Sequence, residues 1–238
     1  MAPLRITYAA LCYISLFMEL ATTLTQIGDL SRSEQPPTWP STFSVNFHEE
    51  NWVWIIPLAR NAGAWHYDFA NKRMRYDHLQ GQFDNFCHGR GLDLKDSRGD
   101  CHLLFNATDM FVHYPGEQKC CRACGVAEGC TVLKPNWLAG GTYLGTETIN
   151  GTVCHGWETD GAAATDRWYQ TEDGTPCRYA ETIKFWPHST HNITFHMSSY
   201  SRDPIPNSVF HVPAYCNVRC PSPWRPLSAL QPSIRVTT

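Results

Sequence analysis

The chain has 238 residues, 42% hydrophobic and 17% charged, and its 9 Trp, 10 Tyr and 11 Phe give ample material for a buried core, which excludes wholesale disorder. A formal charge of -3 lacks the positive footprint that contact with a phosphate backbone needs, so no nucleic-acid partner is expected. Eleven cysteines point to an oxidising compartment rather than the cytosol.

Residues 1–5 are a short start carrying Arg5, and residues 6–18 form an apolar run with Leu11, Ile14, Leu16 and Phe17. Ala21-Thr22-Thr23 supplies small residues for cleavage, so residues 1–23 read as a secretory signal peptide. The run is shorter than the ~20 apolar residues of a bilayer span, and the mature chain is not expected to span a membrane. Removing it takes away Cys12 and leaves ten cysteines: Cys87, Cys101, Cys120, Cys121, Cys124, Cys130, Cys154, Cys177, Cys216 and Cys220. An even number fits a closed disulfide framework. Three N-x-S/T sequons, at Asn106, Asn150 and Asn192, add the mark of a glycoprotein that is secreted or held in the lumen of the secretory or endolysosomal pathway.

Residues 24–41, with Pro36, Pro37 and Pro40, read as a linker. One β domain is expected over 42–220, followed by a Pro/Ser-rich tail, 221–238, without the hydrophobic end of a GPI signal. Within the domain period two dominates. Phe43, Val45 and Phe47 alternate with Ser44 and Asn46. Trp52 to Ile56 is a continuous apolar run, which predicts burial on both faces or a cavity lining. Trp65, Tyr67 and Phe69 alternate with polar residues, Asn71-Lys72 turns the chain, and Met74 and Tyr76 complete a hairpin. Further strands are expected at 102–105, 109–114, 141–149, 166–171, 177–180 and 191–199. Only 118–132 looks helical. The class is all-β with a short helical excursion, mostly antiparallel and stapled by disulfides.

Cys120-Cys121-Arg122-Ala123-Cys124 with Cys130 carries the spacing of a redox dithiol, but without a βαβ scaffold. A zinc site would want a second Cys/His pair at ligand spacing. Structural disulfides are therefore expected, with no metal and no cofactor, and Cys120 and Cys121 should take different partners because a bridge between neighbours is strained. The histidines stand alone, His66, His102 and His196 on polar strand phases and His188 and His191 in loops, and neither H-E-x-x-H nor G-x-S-x-G occurs. No catalytic residue is assigned. Glu49-Glu50 and Asp77 could join a glycosidase-like carboxylate pair, which leaves an extracellular hydrolase as a remote reading. Arg98-Gly99-Asp100 spells an integrin-ligand tripeptide, so an adhesion or matrix module that contacts an extracellular protein or glycan is the alternative. The aromatic faces fit either a filled sandwich core or an apolar pocket between curved sheets. In the second case Trp54, Trp65, Tyr67, Phe69, Met74 and Tyr76 are the candidate ligand-binding residues.

Trp65-His66-Tyr67-Asp68 with Arg73 to Asp77 resembles the opening hairpin of the ependymin-related secreted glycoproteins, and Cys101 to Phe105 with Met110-Phe111 resembles their next strand pair. Asn150 to Cys154 with Trp157, Trp168-Tyr169, Thr175-Pro176-Cys177, and Val209-Phe210 with Pro213 and Cys216 are similar to the later elements. The likeness covers roughly 43–216, and the Cys120 to Cys130 cluster departs from it. What it implies is a LolA-like fold: two strongly curved antiparallel sheets in an open half-barrel, with a hydrophobic pocket that binds a lipid or other hydrophobic small molecule without catalysis.

Overall fold

The computed structural model describes residues 34–84 and 86–222. The proposed signal peptide, most of the linker and most of the tail lie outside these residues. The chain divides into two units, Met1–Pro36 and Pro37–Thr238, and the fold is that of the second.

Eleven strands make one sheet in place of the expected two. They are β1 (Thr42–Val53), β2 (Ile56–Asp68), β3 (Arg73–His78), β4 (Cys101–Phe105), β5 (Asp109–Tyr114), β6 (Lys119–Gly125), β7 (Thr142–Ile149), β8 (Thr152–Asp160), β9 (Ala164–Gln170), β10 (Pro176–Ile183) and β11 (Ser189–Phe195). Their spatial order is β6-β5-β4-β3-β2-β1-β11-β10-β9-β8-β7, antiparallel throughout. The chain thus starts at the centre, works outward to β6, crosses to the opposite edge and works back to pair β11 with β1. The turn chemistry favours this meander. Asn150-Gly151, with φ of 50° and 80°, makes the left-handed two-residue turn of a β7–β8 hairpin. At the β2–β3 turn Asp68 accepts hydrogen bonds from Asn71 and Arg73.

Directly paired residues share a face. One inward row runs Val45, Trp65, Tyr76, Leu103, Val112, Cys121, and the other wing answers with Ile193, Tyr179, Trp168, Trp157 and Tyr143. Register shifts at Asn51/Trp52, Met110/Phe111, Tyr143/Gly145 and Pro176/Arg178 add bends. Gly63 admits the tightest approach: a Cβ there would lie 1.6 Å from the Asp77 carbonyl oxygen.

The inward face is covered by two segments. Residues 126–141 link β6 to β7 and bury Val132 and Leu138 against it. The Tyr67 hydroxyl donates to the Leu133 carbonyl (2.7 Å) and the Trp39 backbone N–H to the Pro135 carbonyl (2.9 Å). The Trp39 ring meets Phe43, Trp65, Tyr67, Trp137 and Trp168 at centroid distances of 4.5–5.7 Å. Its proline-rich neighbours give Trp39 the look of a linker residue, but it is part of the core.

The helical reading of 118–132 is overturned. Residues 119–125 are β6, paired with β5, and no α-helix occurs among the described residues. Two disulfides decide this: Cys120–Cys216 and Cys121–Cys220 bind β6 to the segment beyond β11. The Arg122 N–H donates to the Val218 carbonyl and the Cys220 N–H to the Arg122 carbonyl, so this sheet edge is covered. Cys87–Cys101, Cys124–Cys130 and Cys154–Cys177 complete five bridges, and Cys120 and Cys121 take different partners. A framework of this density belongs to an oxidising, extracytoplasmic compartment. Among the described residues no helix is long and apolar enough to cross a membrane.

Candidate functional site: a cavity with a polar pole

A cavity of about 290 Å³ lies on the inward face. Its apolar wall comes from Trp65, Met74, Tyr76, Leu103, Phe105 and Ile193, and Trp39, Leu133 and Trp137 border it from the covering segments. The remaining side is polar: Glu49, His78, Asp84, Asp166, Glu181 and His191. Strand phase puts them there. Glu49 continues the inward series Phe43, Val45, Phe47; His78 continues Met74, Tyr76; His191 precedes Ile193 and Phe195. Asp166 and Glu181 face each other across β9 and β10, and Glu181 faces His191 across β10 and β11.

Glu49 is 1% exposed. His191 Nε2 lies 3.1 Å from its Oε2, a hydrogen bond. His78 Nε2 lies 3.6 Å from its Oε1, too long for one, and 3.3 Å from Asp84 Oδ2. Asp84 Oδ1 accepts the backbone N–H groups of Phe86 and Cys87, which fixes the carboxylate. The Tyr179 hydroxyl donates to Asp166 Oδ1 at 2.7 Å. Burial opposes the charge on Glu49, but the bond from His191 and the proximity of His78 outweigh it and hold the pKa at about 2. Burial likewise opposes a charged His78, yet Asp84 and Glu49 raise it to about 9. His191 is also raised, with Glu49 overcoming desolvation. Burial pushes Asp84, Asp166 and Glu181 upward.

Four polar atoms at this cavity are buried without a hydrogen-bond partner: Glu49 Oε1 and the indole nitrogens of Trp39, Trp65 and Trp137. Buried polar groups are ordinarily paired, so three donors and one acceptor left without a hydrogen bond on residues that line one cavity are chemically specific. A metal is a poor fit. The cluster of candidate ligands found among the described residues is His78, Asp84 and Cys87. Cys87 sulfur is bonded to Cys101 and offers no thiolate, and His78 is held by Glu49 and Asp84 as a cation, whose proton a metal would have to displace.

Of the sequence candidates, Trp65, Met74 and Tyr76 border the cavity. Tyr67 is fully buried in the closed end of the core, and Phe69 packs at the margin of that core. Trp54 is 62% exposed at the β1–β2 turn, far from the expected pocket lining, and Ile55 and Ile56 are exposed beside it. The run reads as buried because it lacks any Gly or Asn turn signal. Glu49 and Asp77 do not form a carboxylate pair: Asp77 is on the opposite face of the sheet, beside His66, Arg75 and His102. His191 is in β11 rather than a loop. Asn150 is exposed at its turn, while Asn106 and Asn192 are half-buried. Arg98 and Asp100 are exposed. Sequence reasoning misses the polar pole, although polar residues on an apolar strand phase are its visible signal.

No curated protein matches the chain. Solved structures similar to it include an uncharacterized conserved protein from Thermus thermophilus, with 6% identity, coverage of 75% of this chain and 89% of that one, and a TM-score of 0.46. A LolA superfamily protein from Nitrosomonas europaea has 10% identity over 76% of this chain and 93% of that one, with a TM-score of 0.37. MucB, solved in complex with periplasmic MucA, has 12% identity over 74% of this chain and 56% of that one, with a TM-score of 0.36. A family described as a domain of unknown function, DUF8395, matches residues 38–216, from just before Trp39 to the Cys216 that ties the closing segment to β6, and the chain belongs to that family.

Proposed function

We propose that the protein is a non-catalytic, secreted carrier of a small amphiphile, whose apolar body lies against the aromatic wall and whose polar head meets the Glu49 pole. The observation that carries this reading is the set of buried polar atoms without a hydrogen bond on residues that line the cavity: Glu49 Oε1, which has only the long ion pair with His78, and three indole N–H groups. A buried polar group left unsatisfied costs about 1–3 kcal/mol, which an occupant with matching acceptors and a donor removes. Each CH₂ it buries adds ~0.8 kcal/mol. Four carboxylates face two imidazole rings at the pole, so the part of the head beside Glu49 donates a hydrogen bond or carries positive charge, while the indole N–H groups call for acceptors elsewhere on the occupant. The hairpin with ependymin-like sequence supplies Trp65, Met74 and Tyr76 to the wall, in keeping with a lipid-carrier role. The three sequons and the disulfides support a secreted glycoprotein.

Native mass spectrometry of protein purified without detergent is expected to show a small-molecule adduct that denaturation releases. In titrations, a fluorescent fatty amine should bind more tightly than the fatty acid of equal length, and Glu49→Gln should narrow the difference. Absence of any adduct together with no uptake of either probe overturns the carrier reading. The exposed Arg98-Gly99-Asp100 loop would then be the better lead, through an adhesive contact.

A further inference from the structure

We infer that two neighbouring turns at one end of the sheet form a tip that docks the protein onto an anionic lipid bilayer. Val53 pairs with both Ile56 and Ser189, and Ser189 pairs with Ile183, so the β1–β2 turn and the 184–188 loop lie side by side. The Trp54 N–H donates to the His188 carbonyl at 3.3 Å and joins them. Ile55 is 88% and Trp186 80% exposed, and Trp54, Ile56, Leu58 and Phe185 are exposed with them. Side chains this bare protrude. They suit insertion into a soft phase.

Two further observations select the bilayer. Trp54 holds φ at 56°, a left-handed conformation that two-residue hairpins normally give to Asn or Gly. An indole kept there against backbone preference, and 62% exposed, is placed for an outside contact. The charges complement a lipid surface as well. Neither 54–58 nor 185–188 contains a carboxylate; the first charged residue on the β2 arm is Arg60, level with Glu50 on β1, and the first beyond β10 is Lys184. Their exposed partners Glu50 (3.0 Å) and Asp160 (2.6 Å) hold them by surface ion pairs, which are weak enough to exchange for phosphate. Aliphatic and aromatic side chains at the apex with cations set behind them match the acyl boundary and the headgroup layer of an anionic membrane.

The test floats the full chain with vesicles of phosphatidylcholine, alone or mixed with phosphatidylglycerol. The parent should float with the mixed vesicles and less with the neutral ones. Ile55→Asp and Trp186→Asp should each lower partitioning by about tenfold or more with an unchanged melting temperature, since the side chains are exposed. Arg60→Glu with Lys184→Glu should abolish the preference for anionic vesicles. A parent that binds neither vesicle overturns the inference. So does binding that survives both Asp variants, which would place the lipid contact elsewhere, such as in residues 6–18. Sedimentation that shows a dimer dissolved by Ile55→Asp would also overturn it and assign the tip to a second copy of the chain.

Discussion

The inward face of β1 has two ends of opposite character. Phe43, Val45 and Phe47 are buried in the aromatic core with Trp39 and Trp168, whereas Glu49, one step on in the same alternation, meets a cavity ringed by His78, Asp84 and His191. The same pleat, twist and neighbours on either side serve both ends. What differs is whether side chains fill the volume. At the closed end aromatic rings meet one another at contact distance, and stability comes from packing. At the open end stability comes from an ion cluster with unmet hydrogen bonds, an arrangement that is less favourable without an occupant than with one.

The largest expected effect is at the closed end. Trp168→Ala should cost about 3–5 kcal/mol in urea or guanidinium unfolding, because the ring packs against Trp39, Trp65 and Phe195. A loss below about 1 kcal/mol would mean that this end is also a cavity. Glu49→Gln should cost less, about 1–3 kcal/mol, by weakening its contacts with His191 and His78, and unlike Trp168→Ala it should alter which head group binds.

The same substitution gives a pH signature. Glu49 has its folded pKa lowered from 4.5 to about 2, so its contribution is complete above 4.5 and is lost as pH falls toward 2. His78 is raised from 6.5 to about 9, so its contribution is complete below 6.5 and is lost as pH rises through 9. The stability difference between parent and Glu49→Gln should therefore be largest between about 4.5 and 6.5 and shrink on both sides. A pH-independent difference would remove the ion cluster from the account. The smallest effect is expected from Trp137→Phe, which keeps a ring and deletes one unpartnered N–H. Ligand affinity should drop by about 0.5–1.5 kcal/mol with almost no change in melting.

The closed end is legible in the sequence and the open end obscure for one reason. Period-two alternation reports which residues point inward when they are apolar, so Phe43 to Phe47 and the Trp65–Tyr76 hairpin can be read directly. Glu49, His78 and His191 obey the same alternation, but polar side chains on an inward phase look like the end of a pattern. β6 is hidden by cysteines whose partners lie 96 and 99 residues away, a long-range constraint that no local window contains. One sheet reads as two because its continuity rests on a single pairing between β1 and β11.

That pairing is a seam. Every other strand contact joins neighbours in the chain, so each wing can assemble from local hairpins, whereas the bond between His191 and Glu49 spans 142 positions. Cys120–Cys216 and Cys121–Cys220 tie β6 to the segment beyond β11, but none of the five disulfides joins β1 to β11 directly. Glu49 and His78 come from one side of it and Asp166, Tyr179, Glu181 and His191 from the other, so the cavity exists only when the seam is zipped. Whatever enters it acts as a clasp. Its binding free energy adds directly to the closure of the two wings, and an empty molecule should open first along that line.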